Sequence, residues 1–144
     1  MFKQKKLVSA IVCSSLALTA CNSNDDDNVG ASSKAVTTTT ITVTPSLGKI
    51  LNGRVTLKNA KTGVALAPTQ TLTPTSNGTA TFTVPVSQIA EPVLAEVLPT
   101  TAGVVEYFDE ALETNKKITV PTADVAKPIL RAAANVTANA NIGV

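Results

Sequence analysis

The strongest constraint on this chain is a period of two. In Thr40-Ile41-Thr42-Val43-Thr44 and again in Thr79-Ala80-Thr81-Phe82-Thr83-Val84, small hydroxyl side chains alternate with apolar ones. Successive side chains of a strand point to opposite faces, so this spacing turns one apolar row inward and one threonine row outward; a helical period of 3.6 would mix them. Threonine, valine and isoleucine also fit a pleated, half-buried surface better than a helix.

The same alternation recurs at Val55 and Leu57, set among Arg54, Thr56 and Lys58, while in Val93 to Leu98 the rows Val93, Ala95, Val97 and Leu94, Glu96, Leu98 both look partly buried. Val104, Val105, Tyr107 and Phe108, then Ile118 and Val120, extend the set, and Asn59 to Gly63 and Asn77-Gly78 supply turns. About seven short strands, punctuated roughly every eight to twelve residues, predict an all-β fold, an antiparallel Greek-key β-sandwich over residues 39–121. With aromatics at 3% and no tryptophan, its core must be aliphatic. Val55, Leu57, Phe82, Val84, Val97, Val105 and Ile118 are the expected interior. After it, Val125, Ile129, Leu130 and Ala132 to Ala134 suggest helix interrupted by Pro128, and polar repetition follows, so residues 122–144 are expected to be a partly helical or disordered tail. The absence of any stop signal there reads as a piece of a longer protein.

Upstream, Lys3, Lys5 and Lys6 precede fourteen mostly apolar residues, Leu7 to Ala20. A membrane span needs about 20, so this is a secretory leader over residues 1–20. Its end, Leu18-Thr19-Ala20-Cys21, resembles the lipobox of bacterial lipoproteins. That resemblance implies cleavage between Ala20 and Cys21, a diacylglycerol thioether on Cys21, and a membrane as partner through the N-terminal lipid. With Asn22 rather than Asp after the cysteine, it further implies sorting to the outer membrane of a Gram-negative bacterium. Two or three acyl chains hold such a protein durably. Residues 21–38, with Asp25-Asp26-Asp27 among Asn and Ser, read as a solvated, lipidated tether. Those three adjacent aspartates lack the spacing of a calcium loop.

Charge and chemistry narrow the function. The leader carries three of the twelve basic residues, leaving nine against ten acidic, a net of −1 that offers nucleic acid nothing. There is no histidine, and both cysteines, Cys13 and Cys21, belong to the leader and its cleavage site. Ser-His-Asp and Cys-His sites, common zinc sites and a disulfide framework therefore cannot be built from the rest of the chain. Seven glycines, scattered singly, make no phosphate loop. No catalytic residue, metal site or cofactor is expected, and the chain does not read as an enzyme. One constellation stands out: Glu106, Asp109 and Glu110, with Glu113, beside Tyr107 and Phe108. Paired carboxylates can hydrolyse glycosides inside an aromatic cleft, but a domain so poor in aromatics has little to build one from. These residues read as a solvated loop face, an acidic patch able to bind a cation or a basic partner weakly.

The stretch Gly53-Arg-Val-Thr-Leu-Lys-Asn-Ala-Lys-Thr-Gly-Val64, with Asn77-Gly-Thr-Ala-Thr-Phe-Thr-Val-Pro85, resembles the carboxypeptidase regulatory-like and bacterial Ig-like sandwich domains. Gly53, Thr62, Gly63, Gly78, Phe82 and Pro85 carry the likeness. It implies a spacer, adhesion or binding accessory without an active site, found in larger exported proteins. The expectation is a lipid-anchored, non-catalytic interaction or spacer module meeting an envelope protein or glycan. The alternative is a periplasmic or surface lipoprotein holding a small ligand or glycan between its loops, and after that an accessory domain of a larger envelope enzyme.

Overall fold

In the computed structural model, which describes residues 35–144, the alternation is cashed out as strands. In chain order they are β1 (Thr38–Thr44), β2 (Lys49–Asn59), β3 (Gln70–Leu72), β4 (Ala80–Pro85), β5 (Val93–Leu98), β6 (Val104–Asp109), β7 (Thr114–Thr119), β8 (Leu130–Ala134) and β9 (Ala140–Gly143). They form two sheets, a three-stranded one in the order β4-β1-β9 and a larger one in the order β7-β6-β2-β5-β8, with β3 also on β2. The chain is an all-β sandwich.

The two threonine-alternating segments pair with each other. Antiparallel register sets Ile41 opposite Phe82 and Thr42 opposite Thr81. Ile41, Val43, Phe82 and Val84 are buried on one face, and Thr81 and Thr83 are exposed on the other. In the larger sheet, β2 is long enough to serve two partners. Its first half, from Lys49, pairs with β6, and its second half, Arg54 to Asn59, pairs with β5; the register of the β6 ladder shifts between Ile50 and Asn52. Such a shift bends a strand locally.

The core is aliphatic around one aromatic ring. Val55, Leu57, Phe82, Val84, Val97 and Val105 are each at most 1% exposed, as expected, joined by Ile41, Val43, Ile50, Leu72 and Val93. Ile118 departs from the expectation: it is only half-buried, because β7 is an edge strand of the larger sheet and the core covers it from one side.

The tail also departs from the sequence reading. Residues 130–134 and 140–143 are strands, not helix or disordered chain. Pro128 forbids a helix running through it, and β5 offers a free edge with which Leu130 to Ala134 pair antiparallel. β9 then lies parallel to β1, Val43 opposite Ile142, the one parallel pairing among the described residues. Ile142 is 3% exposed, so the sandwich is closed by residues beyond the predicted limit at 121. Alanine's helix propensity is a weak preference, and tertiary pairing overrides it.

The strand directions give the sandwich two distinct ends. At one end, where the described chain begins, lie Ala35 to Thr37, the Asn59–Gly63 turn and the one-turn 3-10 helix Val86–Gln88, tied by the Val86 N–H donating to the Thr37 carbonyl at 2.9 Å. At the other lie the β1–β2 loop, the Asn77-Gly78 turn, the β6–β7 hairpin tip and Val144, whose carbonyl accepts from the Ser46 N–H at 2.6 Å.

Candidate functional site

The site is at the second end. Three connections converge there because three pairs of strands end there: β1 into β2 through Pro45–Gly48, the approach to β4 through Asn77-Gly78, and β6 into β7 through Glu110–Glu113. Asn77 (φ 53°) and Gly78 (φ 75°) both adopt the left-handed conformation that the sequence pair favours. Gly48 (φ 86°) passes so close to β6 that a Cβ on it would collide with the Phe108 carbonyl oxygen. Gly48 and Gly78 thus present bare backbone at this end.

Among these loops lies a groove in two adjoining parts. One of about 450 Å³ is lined by Thr44, Ser46, Lys49, Asn77 and Glu110 among others. Its neighbour, of about 340 Å³, shares Ser46, Gly48 and Glu110 and adds Leu47, Tyr107, Phe108 and Asp109. Two of the chain's four aromatic residues stand at this one end. No family model, curated protein or solved structure matches the chain. What the groove can do therefore has to be read from its own side chains.

The fold brings some of the predicted carboxylates together and separates others. Glu106 and Asp109 lie three residues apart on β6 and so face opposite sides of the sheet. Glu106 pairs across the ladder with Lys117 at 3.9 Å. The Asp109 carboxylate is spent on its own hairpin, accepting from the Ala111 and Leu112 N–H groups at 3.1 and 3.2 Å. Glu110 lines both parts of the groove, and Asp109 lines the smaller one beside it. Glu113 sits at the hairpin tip in the left-handed conformation, φ 51°. Among the described residues no group of three or more carboxylate or thiol side chains could hold a metal ion. Ala20 and Cys21, the predicted cleavage and lipidation positions, lie outside the described residues.

Two sets of residues were not singled out by sequence. Ser46, Lys49 and Asn77 line the groove from segments far from Glu110 in the chain, and only the sheet topology brings them to it. Glu96, read simply as one position of an apolar strand, is a nearly buried carboxylate on the outer side of the larger sheet, held by Lys58 on β2 at 2.6 Å and Arg131 on β8 at 3.3 Å. Beside it on β2, Arg54 donates to the Pro99 and Val125 carbonyls at 2.7 and 2.8 Å, pinning the 121–129 connection to the sheet. This network ties β2, β5 and β8 together and holds the fold.

Proposed function

We propose that the chain is a lipoprotein of the cell envelope, anchored through Cys21 to the outer membrane of a Gram-negative bacterium, whose sandwich is a non-catalytic interaction or spacer module. The observation that carries this reading is the polarity of the fold. The described residues begin at one end of the sandwich, at Ala35, and the loop groove opens at the other. A tether at the first end holds the second away from the bilayer, which is where a partner or ligand would be met. The lipobox-like Leu18-Thr19-Ala20-Cys21 and the sandwich-family likeness of Gly53 to Pro85 support it.

A second reading, a lipoprotein holding a small ligand between its loops, is favoured by the groove itself, since small-ligand sites are concave with a few convergent polar groups.

Growth with labelled palmitate tests the anchor. The intact chain is expected to carry label and to sediment with membranes, and Cys21→Ala to do neither. A wild-type chain without label, or a Cys21→Ala chain still bound to membranes, overturns the reading.

A further inference from the structure

The groove gathers charges that the fold itself leaves unused. Among the described residues, nearly every carboxylate is engaged: Glu91 with Lys61, Glu96 with Lys58 and Arg131, Glu106 with Lys117, Asp124 with Lys127, and Asp109 with its own turn. Glu110 and Glu113 make neither ion pair nor side-chain hydrogen bond, and of the cations the same holds for Lys49 and Lys116. One member of each set, Lys49 and Glu110, lines the same depression, yet the two are not within ion-pair distance of each other. The Ser46 hydroxyl and the Asn77 carboxamide, also without side-chain partners, stand beside them, with Tyr107, Phe108 and Asp109 in the adjoining part, where the Asp109 carboxylate is held by the Ala111 and Leu112 N–H groups.

We infer that this groove binds a zwitterion of the amino-acid or short-peptide class. Its carboxylate meets the Lys49 ammonium, its ammonium meets the Glu110 carboxylate, and its apolar side chain lies toward Tyr107 and Phe108. A neutral saccharide would cover both charged groups and pair neither, and burying an unpaired charge is costly. A ligand of single charge would leave one of the two facing it uncompensated. A zwitterion carries both signs on one small frame, and complementary charge selects it over isosteric neutral molecules. The groove's size lies in the range of about 300–1,000 Å³ usual for small-ligand sites. This assignment rests on the ligand-holding reading and not on the lipid anchor.

Titration calorimetry on the full-length chain in detergent, with the dipeptide alanyl-leucine, its N-acetyl derivative, its C-terminal amide and maltotetraose, tests the assignment. Alanyl-leucine is expected to bind saturably, one per chain, and each blocked derivative about tenfold or more weakly, the loss of one charge-assisted contact. Lys49→Gln and Glu110→Gln are expected to lose the same factor. Lys61→Gln, the same charge change at the other end of the sandwich, is expected to bind as the wild type does, and circular dichroism checks that all three variants are folded. Equal binding of blocked and free dipeptides, unchanged affinity in Lys49→Gln, preference for maltotetraose, or no saturable binding of alanyl-leucine overturns the assignment. Dipeptide binding by a chain that takes up no palmitate would sink the anchor alone, and palmitoylation without dipeptide binding would sink the groove alone.

Discussion

The Glu96 carboxylate on β5 accepts a 2.6 Å bond from the Lys58 ammonium on β2, and Arg131 on β8 reaches its other oxygen at 3.3 Å, so one acid clasps three strands. The environment is lopsided: the Glu96 side chain is 5% exposed, whereas Lys58 and Arg131 are 32% and 62% exposed. Removing the acid leaves two cations that water can solvate, while removing both cations strands a carboxylate away from water.

The two halves of this clasp should therefore differ in cost. Glu96→Leu is expected to lose no more than about 1 kcal/mol. The double variant Lys58→Met with Arg131→Leu is expected to lose about 3 to 5 kcal/mol, the usual penalty for an uncompensated buried charge. Urea unfolding followed by circular dichroism measures both, and equal losses would show that the asymmetry of exposure does not govern the pair.

Phe82 is the single large ring in the core, 1% exposed and opposite Ile41 across the β1–β4 ladder. Truncating it leaves a cavity in the buried face of that ladder, so Phe82→Ala is expected to cost about 3 to 5 kcal/mol, a large share of what a small domain has. A urea midpoint unchanged from the wild type would refute its central place.

What the sequence disclosed follows from which interactions are local. The threonine-apolar alternation placed β1 and β4 and turned Phe82 and Val84 inward, because side-chain direction along a strand needs no partner to be known. The Asn59–Gly63 turn was equally legible: Asn59 caps it with its own side chain, accepting from the Lys61 and Thr62 N–H groups at 2.9 Å each. Pairing between distant segments was not legible. The alanines of β8 gain a strand's geometry only from β5, Ile142 finds the core only through β1, and Lys49 comes to the same groove as Glu110 only once β2 and the β6–β7 hairpin are side by side. Within the acidic run, Glu106 and Asp109 face opposite sides of β6 because neighbours along a strand alternate, whereas Asp109 and Glu110 both line the smaller part of the groove.

Gly48 tests the lining of the groove. A side chain there must both hold φ at 86° and avoid the Phe108 carbonyl, so neither the conformation nor the space allows it. Gly48→Ala is expected to cost at least about 1 to 2 kcal/mol from the left-handed backbone alone, with more from displacing β6. Thermal unfolding measures the loss, and a variant as stable as the wild type would mean that the β1–β2 loop relaxes freely and does not fix the groove's lining.

The last prediction concerns β9. It lies on the side of β1 away from β4, so it turns β1 into a central strand and sets Ile142 over the core beside Ile41 and Val43. Without it, β1 would be an edge with unpaired backbone groups, and two fully buried residues would lose a neighbour. Ile142→Ala is expected to cost about 2 to 5 kcal/mol. Thr83→Ser, on the exposed face of the same sheet, is expected to stay within about 0.5 kcal/mol. Ending the chain at Asn135 is expected to abolish cooperative unfolding, because it removes a whole strand from a three-stranded sheet. A shortened chain that unfolds at the wild-type urea midpoint would show that residues 136–144 ride on the sandwich without holding it together.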